Sequence, residues 1–176
     1  SLKLMTGDIT KQTTEAIVNA ANGTLLGGGG VDGAIHRAAG KELLAECKEI
    51  REKVLGGDYL PTGETVITKG YSLSAKYVIH TVGPVWHGNT QQEEALLSNC
   101  YQHSLQLAKE KGITSISFPS ISTGVYRFPV KLASVTALQT IIHFLQNHSF
   151  GEVVMTLFSS DDYRVYENTL QQLLDT

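Results

Sequence analysis

Short apolar runs rich in β-branched residues alternate along this chain with amphipathic stretches of helical period, and that alternation constrains the fold more than any other feature. Residues 2–6, 16–20, 64–69, 77–82, 113–119 and 153–158 read as strands. Residues 34–54 follow a helical pattern that stops at Gly56-Gly57. Thr90-Gln91-Gln92-Glu93 has the capping-box form and opens a helix to Lys111, closed by Gly112. Val130, Ser134, Ala137, Ile141 and Leu145 recur at helical spacing after Pro129, and Asp161 or Asp162 is placed to cap a last helix ending at Leu174. Nearly continuous apolar strands alternating with helices predict a three-layer α/β/α sandwich around a central, mostly parallel sheet. The strands at 64–69 and 77–82 are joined only by Gly70 to Lys76, too little for a crossover helix. They should pair antiparallel, which makes the sheet mixed.

At 176 residues the chain is expected to be one domain, residues 1–176, served by one core. Hydrophobic residues make up 41% and charged residues 18%, a balance that excludes a disordered chain. The formal net charge of −3, with Lys and Arg scattered, offers no field for a long nucleic-acid backbone. Any anionic ligand must therefore be held locally. Cys47 and Cys100 allow one disulfide at most. The amino-terminal residues carry no apolar export segment, and no run approaches the ~18 apolar residues of a membrane span. A reducing, cytoplasmic setting is expected.

In open sheets of this kind ligands collect at loops beyond the carboxyl ends of the strands. Strand 16–20 runs through Ala21-Asn22-Gly23-Thr24-Leu25-Leu26 into Gly27-Gly28-Gly29-Gly30-Val31-Asp32-Gly33 before the next helix. Each glycine forfeits up to ~1 kcal/mol of backbone entropy relative to Ala, so four in a row need a reason, and close approach of the main chain to a ligand supplies it. Free N–H groups at the positive end of a helix make a site for phosphate or diphosphate. Gly28-x-Gly30-x-x-Gly33 matches the glycine spacing of the dinucleotide fingerprint of dehydrogenases. That reading fails, because Asn22 to Gly27 separate the glycines from the strand and no second strand with a ribose-binding acid follows at the required distance.

A second small-residue loop, Ser120-Ile121-Ser122-Thr123-Gly124-Val125-Tyr126-Arg127-Phe128-Pro129, follows strand 113–119 and opens another helix. It is either an ordinary strand-to-helix turn or the partner of the first loop. Two such loops on neighbouring strands can clamp a diphosphate through backbone donors, compensating for the missing basic patch. Four or five hydrogen bonds to a charged group, at roughly 1.5–3 kcal/mol each, would anchor it without lysine. Asp8, after Gly7, either caps the turn that follows or offers its carboxylate to the amino group of a base. Phe158, at the end of the last strand, is either core or an exposed platform for stacking, typically worth ~1–3 kcal/mol.

These residues resemble a known family. Gly7-Asp8-Ile9-Thr10, Asn19-Ala20-Ala21-Asn22, Gly27 through His36, His80-Thr81-Val82-Gly83-Pro84 and Ser122-Thr123-Gly124-Val125-Tyr126 are similar, in order and interval, to the macrodomain, specifically its MacroD-like hydrolase branch. The resemblance spans nearly the whole chain and implies an ADP-ribose ligand. By position it implies that Asp8 binds the adenine amino group, Ile9 offers a backbone contact beside it and Phe158 stacks on the ring. Gly30 and Val31 would line one side of the diphosphate, and Ser122, Thr123, Gly124 and Val125 the other. Tyr126 would close over the distal ribose, whose hydroxyls would meet Asn22 and Asp32, the catalytic candidates. One departure is Arg127, where many relatives place glycine between two aromatics in the second loop; contact with phosphate or a protein substrate is one reading, and a solvent-facing side chain is the safer expectation.

The resemblance further implies hydrolysis of an acyl group from the distal ribose, as in O-acetyl-ADP-ribose or proteins mono-ADP-ribosylated on Asp or Glu. Asp32 would orient or deprotonate water while Asn22 fixes the ribose. A helix N-terminus lowers the pKa of Asp32 and a nearby diphosphate raises it, so its strength as a base stays open. A non-catalytic ADP-ribose reader and a phosphatase acting on phosphorylated ADP-ribose are the alternatives. No Gly-x-Ser-x-Gly elbow is present. Glu93-Glu94 after Gln92 resembles the acidic signature of poly-ADP-ribose glycohydrolases, but the glycines lie far upstream, and a solvated helix start is expected. His36, His80, His87 and His103 show no paired ligand spacing, and Cys47 and Cys100 sit in apolar helical stripes. All six are expected in the core or at the surface, without a metal or other cofactor.

Overall fold

Each β-rich run becomes a strand of one six-stranded sheet in the computed structural model, which describes residues 1–175. The strands are β1 (Leu2–Thr6), β2 (Ala16–Ala21), β3 (Thr65–Lys69), β4 (Tyr77–Val82), β5 (Ser115–Phe118) and β6 (Glu152–Leu157), in spatial order β1-β6-β5-β2-β4-β3. Only β3 against β4 is antiparallel. The strand in the middle of the chain is shorter than the sequence suggests for physical reasons. Ile113 N–H still closes the preceding helix on Ala108 O at 2.9 Å, and Pro119 has no N–H to give.

Five helices cover the sheet: α1 (Gly30–Ala39), α2 (Lys41–Lys53), α3 (Thr90–Glu110), α4 (Val130–Asn147) and α5 (Ser160–Leu174). Side chains of β2 alternate between two cores, as the two-residue strand period requires. Ile17 and Ala21 join Ile35, Ala39, Leu43 and Cys47 of α1 and α2, with Val78 and Val82 of β4. Ala16 and Val18 join residues of α3, α4 and Tyr166 of α5 on the opposite face. The α/β/α layering inferred from the alternation follows from this division. Among the described residues no helix is long and apolar enough to cross a membrane.

Three local expectations are corrected. The stretch 34–54 is two helices, because Gly40 (φ 91, ψ 174) takes a conformation open essentially to glycine alone; it ends α1 and begins α2. The box at Thr90 starts one residue earlier, with Asn89 at the cap, and Glu93 is not solvated. Its buried carboxylate accepts the N–H groups of His87 and Asn89 at 2.9 and 3.0 Å, tying the incoming chain to the first turn. Ser159, not Asp161 or Asp162, caps α5, accepting Asp162 N–H at 3.1 Å; both acids sit in the first turn, where the helix dipole favours them.

The strand order creates a switch point. From β2 the chain leaves through α1 to one face and onward to β3 and β4; from β5 it leaves through α4 to the other face and onward to β6. These two neighbours pair through only Ala16↔Ile116 and Ile17↔Ser117, although β2 runs on to Ala21. Their carboxyl ends therefore part, and a crevice opens where doubly wound sheets bind ligands.

Candidate functional site

The carboxyl ends of β1, β6, β5 and β2 lie side by side along one edge, and each delivers one predicted element. Thr6 and Leu157 are in register and Gly7 N–H donates to Leu157 O at 2.9 Å, so Asp8 and Phe158 emerge beside each other. Asp8 does cap the single 3-10 turn Ile9–Lys11: its Oδ1 accepts the Thr10 N–H at 2.9 Å and hydroxyl at 2.7 Å. Those bonds hold its carboxyl below the usual range. The side chain is exposed, and Oδ2 is left for another donor. Ile9 itself is buried, with its O accepting Gln12 N–H at 3.1 Å. Phe158 is not core: 86% of it is exposed.

The β5 loop is anchored from below by two buried tyrosines. Tyr101 Oη accepts Ile121 N–H at 3.0 Å, and Tyr166 Oη meets Ser120 Oγ at 2.7 Å. Phe128 N–H closes the loop on Ser122 O at 2.9 Å, while Trp86 N–H holds Tyr126 O at 2.8 Å and the Trp86 ring lies 4.8 Å from that of Phe128. Ser122 presses on Gly83, where a Cβ would collide with it. Leu25, Ser122 and Arg127 are three of the four non-glycine residues with positive φ among the described residues, so both loops are held in strained shapes by their surroundings. Arg127 is exposed, as anticipated. No hydrogen bond among the described residues uses the N–H groups of Gly29, Gly30, Val31, Ser122, Thr123, Gly124 or Val125. Val125, among them, is exposed.

The β2 loop brings the two catalytic candidates together. Asn22 shapes the loop itself: its Oδ1 accepts the Thr24 N–H at 3.0 Å and the Thr24 hydroxyl, and its Nδ2 donates to Gly27 O at 2.8 Å. A Cβ on Gly28 would stand 3.0 Å from Asn22 Nδ2 and 3.2 Å from Asp32 Oδ2, so both side chains close on that glycine. Gly33 needs to be glycine for a different reason, since its Cβ would come within 2.5 Å of Gly28 O. Gly33→Ala is expected to lower stability by roughly 1–3 kcal/mol, through overpacking against a backbone atom that cannot swing away. Thermal melting checks this, and a loss below that range would mean the loop yields freely.

Asp32 is almost wholly buried in the first turn of α1. Its Oδ1 accepts Asn19 Nδ2–H at 2.9 Å and lies 3.4 Å from His36 Nε2, one turn along the same helix. Burial pushes the carboxyl above its usual range, against the Asn19 bond, the His36 ring and the Asn22 backbone N–H, which all pull it down. Desolvation is the largest of these effects. His36 is the site residue that sequence reasoning missed; its spacing of four from Asp32 was the available signal. Behind Asn19 stands His80, fully buried, its Nδ1 3.1 Å from Asn19 Nδ2 and its Nε2 2.9 Å from Thr68 Oγ1. Burial drops the His80 pKa to about 3, with the His36 charge adding to the effect. Asn19 Oδ1 has no partner, at a cost of roughly 1–3 kcal/mol. No group of three or more His, Cys, Asp or Glu that could hold a metal occurs among the described residues, and both cysteines are free and buried.

The family model of the Macro domain matches residues 18–137, the span holding both loops and α1. The chain belongs to the macro domain family. Macro domain-containing protein TTE0995 of Caldanaerobacter subterraneus subsp. tengcongensis is 50% identical over 172 residues, covering 98% of this chain and 97% of that one. Among solved structures, the Oceanobacillus iheyensis macrodomain with ADP superposes with a TM-score of 0.97 at 56% identity, covering 99% of this chain and 92% of that chain. The Trypanosoma brucei macrodomain in complex with ADP-ribose superposes at 0.86 with 42% identity, covering 96% and 68% respectively. The macrodomain fold follows for this chain.

Proposed function

We propose that this macrodomain hydrolyses acyl esters of ADP-ribose: O-acetyl-ADP-ribose, and mono-ADP-ribosyl groups on protein Asp and Glu. The observation that carries the reading is the convergence of Asn22 and Asp32 on Gly28, in the loop that leaves β2. A pure reader of ADP-ribose needs the crevice but not a buried acid with a raised pKa. In this reading adenine stacks on Phe158 with its amino group on Asp8 Oδ2 and its ring edge near Ile9 N–H. The diphosphate spans the N–H groups of Gly30 and Val31 on one side and of Ser122 to Val125 on the other. Tyr126 covers the distal ribose. Asn22, already using one amide proton on Gly27 O, offers its second to a ribose hydroxyl.

The chemistry then needs one base. Water oxygen attacks the acyl carbon, its proton passes to the Asp32 carboxylate, and the acyl–oxygen bond to the ribose breaks. The ribose oxygen leaves with that proton, releasing ADP-ribose and the free carboxylic acid. A carboxyl raised by burial lies closer to the working pH and is a better base than an exposed aspartate. The resident protein groups suffice for these steps.

A turnover assay on O-acetyl-ADP-ribose and on an aspartate- or glutamate-modified protein tests the proposal; release of ADP-ribose is expected. Tight binding with no release above an Asp32→Ala control would make the chain a reader. Phe158→Ala is expected to weaken ADP-ribose binding about 10- to 100-fold, the loss of one base-stacking platform. Its melting temperature should not change, because the ring is exposed. Calorimetry reads the first and thermal denaturation the second.

A further inference from the structure

On the face of the sheet that packs on α1 and α2, one polar row crosses the apolar patch formed by β2 and β4. Ile17, Ala21, Val78, Val82, Leu43 and Cys47 surround Asn19, His80 and Thr68, all three of them buried. Asn19 and His80 are directly opposite in the β2–β4 register, and Thr68 lies diagonally across on β3, where Val66 is the residue opposite His80. An aliphatic side chain at position 80 would fill this layer without burying a polar ring. Histidine is there instead, with a partner on each nitrogen, and the row runs in one direction: Thr68, His80, Asn19, Asp32. Asn19 spends its Nδ2 on two acceptors, His80 Nδ1 and Asp32 Oδ1, and leaves its own oxygen unpartnered.

That unequal arrangement has a reason in the ring. A nitrogen that accepts from Asn19 carries a lone pair, so the ring proton sits on Nε2 and donates to Thr68 Oγ1. With the proton on Nδ1 instead, the ring would favour Asn19 turned to present its oxygen, and that oxygen would face the Asp32 carboxylate. We propose that His80, as its Nε2–H tautomer fixed by Thr68, is a positioning residue for Asp32: it holds the Asn19 amide in the one orientation that gives the ionised acid an N–H. It touches no substrate and acts only through Asn19. The role deepens the hydrolase reading and rests on it for the kinetic part of its test.

Nitrogen-15 NMR of the His80 ring in the wild-type protein at neutral pH tests the tautomer without any turnover. The expected spectrum shows Nε2 protonated and Nδ1 bare; a protonated Nδ1 overturns the proposal. In kinetics, His80→Leu removes the acceptor and His80→Asn restores an acceptor oxygen where Nδ1 stood. His80→Leu is expected to lower kcat about tenfold, as a misaimed catalytic group does. KM and ADP-ribose affinity should stay within about twofold, and His80→Asn should recover most of the rate. Equal loss in both variants, or unchanged kcat in a folded His80→Leu protein, overturns it. Should His80→Leu not fold, Thr68→Val removes the far anchor and must lower kcat in the same sense, or the proposal fails. A wild-type protein without turnover would end the hydrolase reading, and the ring spectrum would still decide for or against His80.

Discussion

Asp32→Ala is expected to release ADP-ribose from ester substrates between about a hundredfold and ten-thousandfold more slowly than wild type, the range for losing a positioned general base. Affinity for ADP-ribose itself should change little, since the nucleotide contacts assigned to the other side chains and to the backbone N–H groups remain. The acid sits at the bottom of the loop, buried, with Asn19 and His36 on one oxygen and Gly28 against the other. Because its pKa is raised in the folded protein, its ionised form opposes folding at neutral pH, and the opposition fades as pH falls through the folded value. Asp32→Asn, which keeps the shape and removes the charge, should therefore melt at or above the wild-type temperature while losing turnover. A variant that loses rate and stability together would instead make Asp32 a structural residue.

Acidification is expected to destabilise the protein before its exposed carboxylates titrate. His80 takes a proton at about 3 when folded and near 6.5 when unfolded. Its neutral form thus supports folding fully above pH ~6.5, and that support drains away as pH falls toward 3. Integrating the difference gives roughly 2–3 kcal/mol lost by pH ~4.5. Asp32, raised by burial, works in the opposite sense as it becomes protonated, whereas Asp8 and Glu15, both held below their usual range, add to the loss at lower pH. Urea unfolding of wild type and His80→Asn at pH 7.5 and 4.5 separates the contributions. The wild-type midpoint should fall and that of His80→Asn should stay nearly level; parallel falls would assign the acid sensitivity elsewhere.

Strand and helix alternation was enough to read the layers and the one antiparallel pair, because both depend on local period and on the length of a connection. It could not show that β2 and β5 part beyond Ile17 and Ser117, since that separation is set by helices leaving to opposite faces. The division of 34–54 at Gly40 was missed because one glycine inside a helical pattern is ordinarily tolerated. Glu93 was misread for a related reason: the backbone donors it accepts belong to a segment outside its helix, which no helical period reveals. At the site, loop glycines, Asn22 and Asp32 were legible as motifs, and Phe158 could be placed but not exposed. The row behind Asp32 was hidden. Asn19 and His80 are sixty-one positions apart in sequence and become neighbours only through parallel pairing of β2 with β4.

The most direct measurement is a crystal structure of this chain soaked with ADP-ribose. The nucleotide should lie across the carboxyl ends of β1, β6, β5 and β2. Its adenine should rest on Phe158, its diphosphate between the N–H groups of Gly30 and Val31 and those of Ser122 to Val125, and its distal ribose against Asn22 and Asp32. A nucleotide bound away from that edge, or a diphosphate held by side-chain cations, would contradict the assignment of the site.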